Sequence, residues 1–374
     1  MIRIAITGAG GFIGHHLCHY LRLWPQEFEV IPVFRKDWES RADLQEKLRG
    51  ADSVVHLAAL NRDPDPDRLI RVNGEMTRSL TEALNETSSK PYIIYASSSQ
   101  EGNGTAYGRM KEKTRRHLAA WAAETGAPFR GMIIPNVFGP FGKPFYHSVV
   151  ATFCYQLWRE ESPVVIEDKE INFISILSLC RIIAEAIRQR LDVLADLIPE
   201  DKWIKVSTLL SLLRHFDARY RMHNEIPALQ DAFEVDLFNT YRSFLPMERL
   251  PVFLSAHRDE RGSLAEILRT STAGQVFFSA TLPGITRGNH FHLRKIERFC
   301  VLRGEAVIRL RRIGSEEVIE IPVSGEKPAV VDMPVWFTHS ISNTGSSELL
   351  TLFWSNEFYD PRDSDTWFAL VSDQ

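Results

Sequence analysis

The stretch IRIAITGAGGFIGHHLCHYL, residues 2–21, constrains the fold more than any other part of the chain. A β-rich run ends at glycines and passes straight into Phe12, Ile13, Leu17, Tyr20 and Leu21 at helical spacing. Gly8, Gly11 and Gly14 lie at that junction. Glycines there let the backbone approach a pyrophosphate, whose charge is met by N–H groups and the positive end of the helix. Dinucleotide binding is therefore expected, because the glycines sit between a strand and a helix. At the end of the next strand, FEVIPVF, stand Arg35 and Lys36. A carboxylate at that position would hold a ribose diol; two cations suit a 2′-phosphate, so NADP(H) is expected. The plain alternative is a solvated basic turn.

The alternation continues. Strands read at DSVVHLAA, PYIIYASSS and RGMIIPN, and helices at PDRLIRVNGEMTRSLTEALNE, KEKTRRHLAAWAAETG and SVVATFCYQLWRE. Such an order implies a parallel sheet with helices on both faces, an α/β doubly wound fold of Rossmann type. From about Pro251 the texture changes to short strands broken by glycine and proline, which points to an all-β barrel or jelly roll. At 374 residues two domains are expected, divided near YRSFLPMERLP into residues 1–246 and 247–374. Residues 192–242 read as helical and polar.

Net charge of −4 argues for neither nucleic acid nor an anionic membrane as partner. Cys18, Cys154, Cys180 and Cys300 form no CxxC pair, so a disulfide framework and a thiolate metal site are not expected, and a reducing cytoplasm fits. The N-terminus lacks a signal peptide's basic region, and the most apolar run, INFISILSLC, is cut by Arg181.

Two constellations carry chemistry. In AYGRMK, Tyr107 precedes Lys111 by four residues, so on a helix they share a face. A neighbouring ammonium favours a phenolate and makes proton exchange with a carbinol feasible. Ser98, after the strand YIIYASSS, is the expected hydrogen-bond partner of a substrate oxygen, with Ser97 and Ser99 as rivals. In GNHFHLRKIERF, His290 and His292 point to one side of a strand, and Glu297 can return beside them from the next. His339 in PVWFTHSISN completes a donor set suited to zinc, and also to iron, manganese or nickel.

TGAGGFIG, VVHLAA, ASSS, YGRMK and PNVFGP together resemble the extended short-chain dehydrogenase/reductase family over about the first 240 residues. That resemblance implies a cofactor surrounded by Gly8, Gly11, Phe12, Ile13, Gly14, Arg35, Lys36, Asp52, Leu57, Ala58, Tyr107 and Lys111, with Ser98, Tyr107 and Lys111 at the chemistry. It also implies a nucleotide-sugar substrate, for which Asn136 and Lys143 are candidate binding residues. Glu101 stands alone in SSQEGNG where the family's dehydratases carry an acidic pair, which speaks against dehydration. FISILSL lacks the family's usual valine–aspartate pair.

GITRGNHFHLRKIERFCVLRG, with Pro334, His339 and Asn343, is similar to the two motifs of the cupin superfamily; Trp336 stands where glycine is usual. HRDERGSLAEI with RGNH resembles deoxysugar 3,5-epimerases, metal-free relatives in which the histidine at position 290 is a general base. Both halves in this order resemble bifunctional capsular-polysaccharide enzymes. That resemblance implies C3 epimerisation of a UDP-2-acetamido-2,6-dideoxy-4-hexulose, then NADPH-dependent C4 reduction, in a homodimer. The C3 base is left among a hydroxide on the metal, His257 and Asp332. The alternatives are a ketosugar reductase whose cupin domain only dimerises or senses a ligand, and a cupin dioxygenase.

Overall fold

A computed structural model describes residues 1–372. In chain order the first elements are β1 (Ile2–Thr7), α1 (Phe12–Leu21), β2 (Phe28–Val33), α2 (Arg41–Leu48), β3 (Ser53–His56), α3 (Pro66–Glu86), β4 (Tyr92–Ala96), α4 (Ala106–Thr125), β5 (Phe129–Ile133) and β6 (Asn136–Phe138). They are followed by α5 (Val149–Trp158), β7 (Glu170–Ser175), α6 (Ile176–Gln189), β8 (Val193–Leu197), β9 (Lys202–Lys205), α7 (Val206–Phe216), β10 (Glu225–Ile226) and α8 (Ala232–Arg242). The β-rich remainder comprises β11 (Val252–Phe253), β12 (Ala256–Asp259), β13 (Gly262–Ala265), β14 (Arg269–Thr270), β15 (Gln275–Thr281), β16 (Thr286–Phe291), β17 (Glu297–Arg303), β18 (Glu305–Arg312), β19 (Val318–Ser324), β20 (Ala329–Met333), β21 (Phe337–Asn343), β22 (Leu349–Ser355) and β23 (Trp367–Phe368).

Residues pack as two compact units. One joins Met1–Phe138 to Glu170–Ile204; the other joins Gly139–Lys169 to the chain from Lys205 onward. This grouping follows packing, whereas the division at 246/247 marks the change from helical to β texture, so the two descriptions assign residues 139–169 and 205–246 differently.

In the first unit six strands form a parallel sheet in the order β2-β1-β3-β4-β5-β8. The order reverses at β1, and in such sheets ligands bind beyond the carboxyl ends of the strands at that switch point. Against one face pack α2, α3 and α4, burying Leu44, Leu48, Leu80, Leu84, Leu118 and Trp121. Local chemistry sets the helix ends: Asp65 caps α3 through the Asp67 N–H with Pro66 in the first turn, and Thr105 caps α4 through the Gly108 N–H.

One expectation needs correction. Residues 192–242 are not helical throughout: VLADL forms β8 at the edge of the parallel sheet, and KWIK forms β9. Leu194 and Leu197 are exposed on that edge, so hydrophobic content there reports no helix face.

In the second unit, two five-stranded sheets with antiparallel pairing, β11-β20-β17-β22-β15 and β19-β18-β21-β16-β23, hold a shared core that includes Phe299, Ile308, Leu310, Val331, Ile341 and Phe353. α8 is fastened to this β structure: Asn239 donates to the Arg294 carbonyl at 2.7 Å and Arg242 to the Met333 carbonyl at 2.9 Å.

Candidate active site

In the first unit the glycine turn joins β1 to α1. Gly8 has φ +69°, and a Cβ on Gly14 would lie 2.2 Å from the Gly8 carbonyl oxygen, so neither tolerates a side chain. Gly11 caps α1 without a side-chain partner, leaving first-turn N–H groups for an anion. Behind the turn, the Thr7 hydroxyl accepts from the Leu57 and Ala58 N–H groups at 3.1 and 3.2 Å. Its own proton is left for His56 Nδ1, 2.8 Å away. His56 is buried; burial, with Lys111 nearby, pushes its pKa down to about 3, so the ring is neutral. This hydroxyl fixes Leu57 and Ala58 beside Gly8, a contact the glycine pattern does not announce.

The Ala9 N–H donates to the Val33 carbonyl at 3.3 Å, which brings the end of β2 to the glycine turn. Arg35 and Lys36 follow directly and are exposed. The acid nearest to them, Asp37, is buried and accepts the Phe34 N–H at 2.6 Å, so it holds the turn and is withdrawn from solvent. These residues fit an NADP-type dinucleotide: an open helix start, a glycine cradle and two unshielded cations. Asp52 does not join them. It precedes β3 at the opposite end of the sheet, where its carboxylate accepts the Arg3 N–H at 2.8 Å, and it leaves the cofactor set on that ground.

Tyr107 and Lys111 lie on α4, with Lys111 Nζ 5.7 Å from the Tyr107 ring centre and 5.4 Å from that of Tyr95. Lys111 is buried and donates to the Ala96 carbonyl at 2.9 Å, which ties α4 to the end of β4 two residues before Ser98. Burial pushes Lys111 down to about 8, opposed by Glu101, so it remains an ammonium at neutral pH. Among the three serines, Ser97 donates to Glu101, Ser99 is exposed, and Ser98 accepts the Gln100 N–H at 3.2 Å while keeping its own proton to donate. Glu101 is paired with Arg115 at 2.6 Å, which occupies the one acid in the position where dehydratases need a free pair. Its partners are 14 residues apart, so no local pattern in the sequence announces the pair.

Asn136 donates to the Asn172 carbonyl at 3.2 Å on β7. In the second unit Lys143 is exposed, its Nζ 5.4 Å from the Tyr146 ring centre.

The second unit brings His290, His292, Glu297 and His339 together, with one donor atom of each within 4.8 Å of the others. A register shift places them. Between Gly288 and His290 the pairing of β16 with β21 slips by one residue, and His290 comes to face His339. Gly288 has φ +104°, and a Cβ there would lie 2.7 Å from the His339 carbonyl oxygen. The imidazole centres of His290 and His339 are 4.5 Å apart, and those of His290 and His292 5.1 Å. His292 Nε2 and His339 Nε2 face the Glu297 carboxylate at 3.0 and 3.6 Å, yet neither makes a well-formed hydrogen bond. Burial and the neighbouring imidazoles push His290 down to about 4. Burial alone would raise Glu297, but His292 and His339 outweigh it and hold it well below the usual carboxylate range. Buried imidazole nitrogens converging on one carboxylate, without good hydrogen bonds of their own, fit a divalent cation with tetrahedral or octahedral tastes.

Trp336 does not break the turn before β21. It adopts φ +63°, the conformation a glycine would take, and is held there by its N–H to the His292 carbonyl and by the Ile313 N–H to its own carbonyl, both 2.8 Å. Its side chain is 1% exposed, so burial of the indole offsets a backbone strain of about 1–2 kcal/mol. Of the candidate bases, Asp332 is excluded as a free carboxylate: it is buried, bound by Arg298 at 2.7 and 2.8 Å, and accepts from Tyr220 at 2.8 Å. His257 stands exposed on the β12–β13 hairpin, a separate two-stranded sheet.

A switch-point crevice with a glycine cradle and a tyrosine–lysine pair defines a Rossmann-type dinucleotide enzyme. Residues 4–192 match the model of the NAD dependent epimerase/dehydratase family, and residues 257–367 that of the polysaccharide biosynthesis C-terminal domain. UDP-2-acetamido-2,6-beta-L-arabino-hexul-4-ose reductase of Pseudomonas aeruginosa is 32% identical over 375 residues, 100% of each chain. The crystal structure of the capsular polysaccharide assembling protein CapF from Staphylococcus aureus is 34% identical, covers 98% of this chain and 99% of its own, and superposes with a TM-score of 0.65. GDP-6-deoxy-D-mannose reductase of P. aeruginosa is 29% identical over 147 residues, 37% of this chain and 42% of its own. The chain belongs to the NAD dependent epimerase/dehydratase family, and its later residues match a polysaccharide biosynthesis C-terminal domain.

Proposed function

We propose that the chain is an NADP(H)-dependent nucleotide-sugar ketoreductase of capsule or O-antigen precursor synthesis, whose β-rich part first inverts C3 of the same sugar. The substrate class is a UDP-2-acetamido-2,6-dideoxy-4-hexulose and the product UDP-N-acetyl-6-deoxy-L-talosamine, on the route to UDP-N-acetyl-L-fucosamine. Residues 1–246 are assigned the reduction and residues 247–374, read as a cupin domain, the epimerisation. The enzyme is assigned to the cytoplasm; no helix among the described residues is long and apolar enough to cross a membrane.

The carrying observation is that one chain holds both a buried lysine behind a tyrosine on α4 and a four-donor His/Glu cluster between two β-sheets. Tyr107 gives its proton to O4, Lys111 supports the departing charge and holds the cofactor ribose, and Ser98 donates to the ketone oxygen. NADPH, when bound along Gly8, Gly11, Gly14, Arg35 and Lys36, supplies hydride. Asn136 and Lys143 remain proposals for the nucleotide-sugar pocket. In the β-rich part His290, His292, Glu297 and His339 would hold a divalent metal, zinc by donor type, which supplies Lewis acidity toward negative charge on the ketone oxygen. A C3 hydrogen is acidic only while C4 is a ketone, so inversion precedes reduction and reduction locks the new configuration. NADPH absorbance, followed after mixing the protein with the keto sugar, is expected to fall by one equivalent per sugar; no oxidation would remove the reductase assignment.

The homodimer is proposed to form at β15, an edge strand whose only ladder partner among the described strands is β22. Val276 and Phe278 on it are 60% and 71% exposed, an apolar edge of the kind that recruits a second copy. Phe278→Lys is expected to shift the protein from dimer to monomer in sedimentation velocity at micromolar concentration; an unchanged dimer would place the interface elsewhere.

A further inference from the structure

Between the ligands His292 and Glu297 the chain turns through Leu293, Arg294 and Lys295, and the N–H groups of all three point at one buried side chain. Asp365, 4% exposed, accepts Leu293 N–H at 3.1 Å, Arg294 N–H at 2.9 Å and Lys295 N–H at 2.8 Å. Its main chain is left-handed, φ +45°, and its carbonyl oxygen lies 2.5 Å from His292 Nδ1. A carbonyl can only accept, so Nδ1 carries the proton and Nε2 is left with its lone pair toward Glu297.

The surrounding segment is fastened on both sides of the cluster. Arg294 pairs with Glu357 at 3.0 Å and Asp363 at 2.9 Å, β23 pairs with His290 and Phe291, and Asn289 accepts the Ala369 N–H at 2.9 Å.

We infer that Asp365 is the positioning residue of the His/Glu cluster: its carboxylate sets the turn that separates two ligands, and its carbonyl fixes the tautomer in which His292 can bind a divalent cation. This rests on the metal reading given above. It assigns a role to a residue 73 positions from the histidine it orients, toward the same cation.

The test has two arms. In the first, metal-free protein and the isosteric variant Asp365→Asn are titrated with zinc against a chromophoric chelator, then loaded with cobalt(II) for its visible spectrum. An asparagine amide keeps one acceptor but presents N–H groups to three N–H donors. Zinc affinity is expected to fall roughly 10- to 100-fold, the usual scale for losing a ligand's supporting partner, with an altered cobalt band and an intact far-UV CD spectrum. Equal zinc affinity and an identical cobalt band would overturn the inference. In the second arm, long-range 1H–15N NMR of the metal-free parent at alkaline pH reads the His292 tautomer. Nδ1–H is expected; Nε2–H would overturn the inference even if the variant does not fold. A parent that binds no zinc yet shows the Nδ1–H tautomer would defeat the metal reading alone, leaving Asp365 as the group that orients His292.

Discussion

Tyr107→Phe is expected to lower NADPH oxidation by the keto sugar by about a hundred- to ten-thousand-fold, the range for loss of a positioned proton donor. The phenylalanine keeps the ring that faces Lys111 Nζ at 5.7 Å, so the helix and the buried ammonium stay in place and only the proton source is lost. Steady-state absorbance with saturating NADPH measures it, and the loss should appear in kcat with little change in the Kd of NADPH. Two neighbouring groups are already engaged: Ser97 is committed to Glu101, and Glu101 to Arg115.

Asp332→Ala is expected to destabilise the β-rich unit by about 3–5 kcal/mol, the cost of leaving a buried partner charge uncompensated. Arg298 is 1% exposed and spans Asp332, the Asn224 side chain and the Asn224 carbonyl, so without the carboxylate its charge has no counterion within reach among the described contacts. Chemical denaturation should show one transition moved to lower denaturant, and Asp332→Leu combined with Arg298→Met should recover much of the loss, because the pair is removed together. The effect has a sign in pH. Burial raises the Asp332 carboxyl, but Arg298 outweighs it and holds the group below its ordinary value of 3.8. The stabilisation is therefore complete above that value and is lost as pH falls through the lower folded value, where parent and variant should converge.

The legible parts were those written locally. PDRLIRVNGEMTRSLTEALNE, read as one helix, is α3 residue for residue, because its proline and its apolar spacing lie inside the segment and its cap, Asp65, stands directly before it. Gly8, Gly14, Tyr107 and Lys111 were legible for the same reason: turn, helix start and shared face are short-range facts. The four cluster donors were legible as two pieces, an HxH with a following glutamate and a lone histidine, and the slip at Gly288 that unites them was not. Long-range partners decided what failed. Asp332 reads as a free carboxylate until Arg298 and Tyr220 close on it from 34 and 112 residues away. Asp52 reads as a cofactor contact until the pairing of β1 with β3 puts it at the far end of the sheet. Trp336 reads as a defect in a glycine turn, yet the indole's burial and two backbone hydrogen bonds hold it in the glycine conformation.

The account rests on one ketone serving two reactions, and deuterium reports this directly. Incubated in D2O with the keto sugar and no NADPH, the protein is predicted to place one deuterium at C3 while the ketone persists; adding NADPH should then yield the C4 alcohol with that label retained. NADPH oxidation that proceeds with no deuterium ever entering C3 would contradict it and leave the β-rich half without its proposed chemistry.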